Sequence, residues 1–435
     1  MIWRNLTFIL LFVVHSFFCK AQLSGNSNRL LEAPVSFLAA NPEHPIGIFA
    51  LDLPFYFPGG QTTGSQLAFS YTMANVWHPK AWFYYPQNLT AEQKRLNSEL
   101  YMTWRPAYFE TIGVETKVKS FQSDGVLQHF RFSWLRKWKD KNSIILNMNA
   151  HLLSGGSSPL HYFVSDHFIE AFHSDFAIDD NYGRKLYPFN KASILFEDEN
   201  GKTYRKDKGE WFTSVIDAHY YRQLYTHTSG YSRKQLMGGV HLSVPLNSLH
   251  RYVIPGLSLG YRYDRLMTAK TSVTLAVDGG FTNPVFLKTG SSVNAIDNPW
   301  RGVLKFYLGE NWAVTEKSIL QFGLLSNIQG ALLNGANNKR GQYGYDEIGI
   351  QYLGEGDVWE GEEISQEFWL ARITPAALYY FSYKAYLVIG WQRKSGQFNF
   401  YLGEDLIYIN NAPDFQLGFE YIIPLGRKNT RDRSL

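Results

Sequence analysis

At 435 residues the chain is long enough for two or three soluble domains of ordinary size. Its 31 Phe, 28 Tyr and 12 Trp, against a charged fraction of 18 % and a single cysteine, exclude charge-rich disorder and a disulfide scaffold. Lys and Arg exceed Asp and Glu by four (42 against 38), and no basic run is long enough to serve as a phosphate-binding patch, so no nucleic-acid partner is expected.

The N-terminus carries Arg4, an apolar run from Leu6 to Phe18 broken only by His15 and Ser16, and Cys19-Lys20-Ala21 before Gln22. That order is a secretory signal, residues 1–21, cleaved after Ala21. The apolar run falls short of the ~20 residues of a spanning helix. Bulky Phe18 argues against lipid attachment at Cys19. Cleavage would take Arg4 and Lys20, lowering the formal charge from +4 to 4 − 2 = +2, and would leave no cysteine. An exported chain of this kind is stabilised by something other than disulfides. Residues 22–44 then read as an N-terminal periplasmic segment and residues 45–426 as one membrane domain.

After residue 22 no apolar stretch reaches the length of a transmembrane helix, which leaves a closed barrel as the way to span a bilayer. Its signature recurs along the chain, as strand-length segments alternating with period two. Phe130, Phe132 and Trp134 share one face, and His129, Arg131, Ser133 and Lys137 the other. Leu257, Leu259, Tyr261 and Tyr263 alternate with Ser258, Gly260, Arg262 and Asp264; Phe415, Leu417, Phe419, Tyr421 and Ile423 alternate with Gln416, Gly418 and Glu420. Weaker examples are Leu67-Phe69-Tyr71-Met73, Ile144-Leu146-Met148, Val273-Leu275-Val277 and Leu304-Phe306-Leu308. The second face is charged or hydrogen-bonding, as a wet lumen requires, and strands repeatedly end in Trp or Tyr, as interface girdles do.

The fold class is therefore all-β, an antiparallel transmembrane β-barrel of about twelve strands within a range of roughly ten to sixteen. Short turns are marked at Asp140-Lys141-Asn142, Thr315-Glu316-Lys317, Ser395-Gly396 and Asn411-Ala412-Pro413-Asp414. Long connections run over Pro79–Asn97, Ser154–Gly209, Thr282–Pro299 and Gly330–Ile364, one of them carrying a short helix. Reading 366–382 as one strand leaves the last strand ending on the long-loop side, opposite to the usual placement of barrel termini. The tail at 427–435, with Arg427, Lys428, Arg431 and Arg433, reads as a disordered basic extension.

Asn41-Pro42, Leu53-Pro54, Tyr71-Thr72-Met73-Ala74-Asn75 and above all Phe168-Ile169-Glu170-Ala171-Phe172-His173-Ser174-Asp175-Phe176 with Gly183-Arg184 carry a resemblance. Over residues 41–200 the chain resembles a family of Gram-negative outer-membrane barrels that holds a domain of unknown function. The resemblance implies a barrel at the bacterial outer membrane and no substrate. Phe176-Ala177-Ile178-Asp179-Asp180 departs from the Phe-Gly-Leu-like stretch usual there. The Ala21-Gln22 junction is similar to that of Bacteroidetes barrels serving secretion and gliding machines.

Two constellations could carry chemistry. In a helical Asp166–Asp175, Asp166, Glu170 and His173 share one face and Phe168, Phe172 and Phe176 another. The cluster, with Arg184 nearby, reads as an amphipathic turn packed on the barrel, or as a weak site for a divalent cation, the one cofactor considered. The lumen candidates are His129, Arg131, His151, Asp217, His219, Arg262, Asp264, Lys305 and Glu420. Such mixed-sign side chains either pair and fill a barrel or form a selectivity ring. Ser243, two residues after His241, is the weak serine-histidine pair, and the acidic Glu355–Glu363 stretch reads as a solvated or calcium-binding loop. The function expected is an outer-membrane barrel that passes or binds a small solute. A barrel subunit of a secretion or motility apparatus and a lipid-acting enzyme are the alternatives. Its partners would be outer-membrane lipid, the solute and, during insertion, the barrel-assembly machinery.

Overall fold

The period-two segments form twelve antiparallel strands that close on themselves in the computed structural model. The structure describes residues 28–39, 52–60, 63–75, 78–83, 111–112, 119–124, 126–139, 141–154, 193–197, 203–246, 252–283, 285–286, 301–331, 340–341, 345–346, 370–371, 381–405 and 415–425. A short helix α1 (Asn28–Leu31) and two three-residue strands, β1 (Val35–Phe37) and β2 (Phe55–Phe57), precede the wall. The wall consists of β3 (Gly64–Asn75), β4 (Val126–Trp138), β5 (Asn142–Ser154), β6 (Trp211–Thr228), β7 (Ser232–Pro245) and β8 (Tyr252–Leu266), followed by β9 (Thr271–Thr282), β10 (Arg301–Thr315), β11 (Ser318–Ala331), β12 (Phe381–Arg393), β13 (Gly396–Asp405) and β14 (Phe415–Leu425). Each pairs with its neighbour in sequence, and the ring closes between β14 and β3. Closure removes every free sheet edge from the wall, which a lipid-facing sheet requires.

Short turns join β4 to β5, β6 to β7, β8 to β9, β10 to β11 and β12 to β13 at one end. The long connections leave from the other. Gly64 pairs with Lys137 and Leu425 with Ser65, so the wall both begins and ends at the short-turn end. This corrects the 366–382 strand. The crossing strand is Phe381–Arg393, while Leu370–Ala371 pairs with Tyr345–Asp346 outside the wall. One crossing instead of two restores both wall ends to the same side. Parts of the first two long connections are also strand: Thr203–Asp207, Ser193–Glu197, Lys119–Asp124 and His78–Phe83 form a separate four-stranded sheet.

The alternation sorts the wall by face. Phe132, Leu146, Met148, Leu257, Leu259, Leu275 and Phe419 point outward and are exposed, while their sequence neighbours are turned into the lumen. Near the short-turn end the cross-strand partners Trp312, Leu320, Trp391, Phe398, Tyr421, Phe69 and Phe132 follow one another through seven neighbouring strands as a belt. Trp312, Trp391 and Tyr421 in this row have the amphipathic rings that suit a membrane interface.

The apolar core lies inside the barrel. β1 and β2 pair antiparallel, Val35 with Phe57 and Phe37 with Phe55, as a hairpin within the lumen. Val35, Phe37, Leu38, Phe55, Tyr56 and Phe57 are buried there against wall residues such as Leu135, Tyr221, Tyr307 and Ile422. Rings set the packing: Phe37 lies 5.1 Å from Tyr307 and Tyr56 lies 5.0 Å from Tyr221, centroid to centroid. At the short-turn end Leu30 and Leu31 of α1 pack on Leu266 and Ile319, and Arg29 donates to the Glu316 carbonyl in the β10–β11 turn. Residues 28–38 thus pack against the inner face of the wall, whose first strand begins at Gly64. The signal, the tail, the 166–176 helix and the acidic stretch lie outside the described residues.

Candidate functional site

A short segment inside a barrel cannot satisfy its backbone with a two-stranded ladder alone, and each buried carbonyl left over needs a donor. The wall supplies those donors from cations. Arg131 Nη1 donates to Leu38 O at 2.9 Å and pairs with Asp52 at 3.2 Å. Arg233 donates to Gly59 O at 2.9 Å and Leu31 O at 3.3 Å. Arg262 Nη2 donates to Ala33 O at 2.6 Å, and Lys305 donates to Leu53 O and pairs with Asp52 at 3.4 Å. Neutral donors complete the set: Gln321 to Pro34 O, Asn399 to Ser36 O and Tyr221 to Pro54 O. Asp52 therefore bridges β4 and β10, two strands that are not neighbours in the wall.

Carboxylates fill the complementary places. Glu420 accepts from Leu38 N at 2.7 Å, Asn399 Nδ2 at 2.7 Å and Tyr401 Oη at 3.1 Å. Asp264 accepts from Arg262 Nε and Nη2 at 3.0 and 2.8 Å and from Thr274 Oγ1 at 2.6 Å, which holds the guanidinium in the plane that reaches Ala33. In the inserted hairpin the Tyr56 hydroxyl is pushed up to about 12 by burial, with Ser143 offsetting part of the effect, so it stays neutral. Gly260 provides a seat for the hairpin, since a Cβ there would lie 2.7 Å from Phe57 Cζ. At the short-turn end a cavity of about 500 Å³ remains between segment and wall, bordered by Arg29, Tyr56, Lys137, Gln397 and Leu425.

All eight principal lumen candidates, His129, Arg131, His151, Asp217, His219, Arg262, Asp264 and Glu420, face inward and are buried, and so does Lys305. They do not form one ring. Arg131, Arg262, Lys305 and Glu420 hold the inserted segment, with Asp264 behind Arg262. His129, His151, Asp217 and His219 occupy one quadrant of β4 to β6, where Asn149 Oδ1 receives Arg131 and lies 3.2 Å from His129 Nε2, and Asn149 Nδ2 donates to Asp217 at 3.1 Å. His129 and His151 stack at 4.5 Å. Sequence reasoning missed Asp52, Arg233, Asn149 and Asn399, and it paired His241 with Ser243. The serine at hydrogen-bond distance from His241 is Ser258, on the next strand, 2.9 Å from Nε2. Only the cross-strand register could have shown that. Among the described residues no group of three or more His, Cys, Asp or Glu could hold a metal ion. Asp166, Glu170, His173 and Arg184 lie outside the described residues.

No family model matches the sequence, and no curated protein matches it. Solved structures align with the chain at low similarity, among them outer-membrane β-barrel proteins. A bacterial polysaccharide outer-membrane secretin aligns over 84 % of this chain and 99 % of its own, at 6 % identity and a TM-score of 0.31. The toluene transporter TbuX of Ralstonia pickettii aligns over 94 % of this chain and all of its own, at 9 % identity and a TM-score of 0.27. A loop-deletion form of OmpT from Vibrio cholerae aligns over 82 % and 99 %, at 10 % identity and a TM-score of 0.26. The chain is a closed antiparallel twelve-stranded β-barrel, a conclusion that rests on its own strand pairing.

Proposed function

We propose that the protein is a gated barrel of the bacterial outer membrane, whose lumen passes or binds a small solute when the inserted residues 28–39 and 52–60 yield. The observation that carries this reading is the mode of closure. The segment is held by side-chain hydrogen bonds and ion pairs to the wall, and among the described residues no sheet pairing joins it to a wall strand. A gate of that kind can leave without breaking the hydrogen-bonded ring. The apolar outer face and aromatic belt support a membrane setting, and residues 1–21 read as an export signal within the same proposal. Outer-membrane lipid and, during insertion, the barrel-assembly machinery would be its partners. The kinship with a family of unknown function over residues 41–200 is part of the same proposal.

The test is reconstitution of the full chain in a planar bilayer beside a variant carrying Arg131→Met and Lys305→Met. Wild type should be mostly closed, and the variant should open for longer, with its barrel still folded by heat-modifiable gel mobility. If the variant releases the segment to protease and still passes neither ions nor solute, the reading fails. The apparatus-subunit alternative would then be favoured.

A further inference from the structure

One quadrant of the lumen wall bonds to itself rather than to the inserted segment. Asn147 Nδ2 lies 3.1 Å from His219 Nε2, His219 Nδ1 lies 3.0 Å from His241 Nδ1, and His241 Nε2 lies 2.9 Å from Ser258 Oγ. Asn147, His219 and His241 are all buried, each on a different strand. Asp217 stands directly across from Asn147, and the register continues to Ser243.

The hydrogens in this line can run in two directions, and the buried atoms choose between them. With Nδ2 towards His219, Asn147 Oδ1 is a buried acceptor without a hydrogen bond, while Asp217 directly opposite already has Asn149 and Ser243 beside it. Turning the amide over lets Asn147 Oδ1 accept from His219 Nε2–H and presents its Nδ2 donor to the Asp217 side. His219 Nδ1 then accepts from His241 Nδ1–H, and His241 Nε2 is left to accept from the Ser258 hydroxyl. That is the arrangement of a serine whose proton has a base waiting and whose base is oriented from behind.

Space is also kept around this serine. Gly239 and Gly280 are its direct partners on the two neighbouring strands, and the place a Gly280 side chain would take is filled by Leu53 of the inserted segment. A Cβ at Gly239 would lie 2.5 Å from Ser258 Oγ and 2.6 Å from His241 Nε2, so glycine is required for the pair to meet. Ser258 keeps partial exposure where His219 and His241 are sealed. Its sequence neighbours Leu257 and Leu259 point outward, so an approaching substrate comes through the lumen and not from the bilayer.

We propose that Ser258 is a nucleophile, with His241 as its general base and His219, Asn147 and Asp217 as positioning residues, and that it cleaves acyl esters that enter the lumen. Ser258 Oγ bonds to the ester carbonyl carbon while its proton passes to His241 Nε2. The carbon–alkoxy bond breaks, and His241 returns the proton to the departing alcohol. Water then attacks the acyl-serine with His241 again as base, releasing the carboxylic acid and regenerating the hydroxyl. This names a solute class for the proposed lumen and rests on that reading only for access.

The test is intact-mass analysis of the folded full chain after treatment with diisopropyl fluorophosphate, in which Ser258 Oγ would bond to phosphorus and fluoride would leave. One adduct is expected, mapped to Ser258. It should vanish in Ser258→Ala, persist in Ser243→Ala, and form about 10²-fold more slowly or worse in His241→Gln. His219→Asn should move the pH midpoint of labelling, which a merely structural histidine would not do. The same treatment of the Arg131→Met, Lys305→Met variant separates access from chemistry, since an adduct there alone still supports the nucleophile. No adduct on either folded protein, or an adduct surviving Ser258→Ala, overturns the proposal. An adduct without conductance keeps the nucleophile and removes the pore.

Discussion

Arg262→Met tests whether the inserted segment is a separable gate. The side chain is wholly buried; it donates to Asp264 Oδ1 twice and to Ala33 O at 2.6 Å, with a long contact of 3.4 Å to Phe57 O. Methionine keeps the apolar stem and removes every donor. Two costs follow, and they fall on different parts of the molecule. Asp264 in the wall retains Thr274 but loses its buried counter-charge, at about 3–5 kcal/mol. The segment loses a charged donor at Ala33, worth about 1.5–3 kcal/mol. Adding Asp264→Asn removes the stranded carboxylate, so the double variant isolates the second cost. That free energy shifts the balance between inserted and released segment by roughly tenfold to a hundredfold. Open probability in a planar bilayer and protease cleavage within residues 28–60 should both rise, while heat-modifiable gel mobility stays that of a folded barrel. Unchanged gating and protection in a folded double variant would refute the reasoning. Loss of the barrel before release of the segment would do the same, because segment and wall would then be one cooperative unit.

Gly260→Val puts a Cβ into Phe57 and within 3.0 Å of Asp278 Oδ1, so the hairpin should lose about 1–3 kcal/mol of docking energy, read as faster hydrogen exchange over 52–60. Glu420→Ala looks harmless for an inward side chain, but it strands three donors, those of Leu38, Asn399 and Tyr401; a lowered melting temperature in detergent is expected, only partly rescued by Glu420→Gln, whose oxygen serves Asn399 and Tyr401 while its amide nitrogen faces Leu38 N–H. Phe419→Arg on the outward face should cost about 2–4 kcal/mol and impair assembly, scored as the fraction of heat-modifiable protein in membranes. A tolerated Phe419→Arg would contradict the register of β14.

The wall was legible because an apolar outer face and a polar lumen impose a strict period of two. His129 and Arg131 against Phe130 and Phe132 carry that signal in four consecutive residues, and both inward residues are where the alternation puts them. The inserted segment carries no such signal. β1 and β2 are three residues each, too short to show a period, and wall on every side buries all six residues, Ser36 as well as the apolar five. The partners of the lumen charges were hidden for a different reason. Arg131 and Glu420 bond to backbone groups 93 and 382 residues away, and a backbone carbonyl has no residue identity for a sequence to display. The Ser258–His241 pair sits between these cases, since each side is visible as an inward residue and only the β7–β8 register joins them.

The direction of charge inside the wall carries the last step. Arg131, Arg233, Arg262 and Lys305 all aim at carbonyls of the inserted segment, while Glu420 takes one of its amides. A wall evolved only to fill itself would pair these groups with each other, since cation and carboxylate satisfy one another at closer range than either satisfies a neutral carbonyl. With the segment gone, Arg131, Arg233 and Lys305 would need water or a new anion in its place, while Arg262 keeps Asp264 in the wall. An empty lumen is therefore a hydrated, positively lined one. Opening should accordingly favour anions over cations, and the open Arg262→Met, Asp264→Asn barrel in a salt gradient should show a reversal potential of anion-selective sign. A cation-selective sign would mean that Asp217, Asp278 and Glu420, not the segment's former donors, set the field of the open lumen.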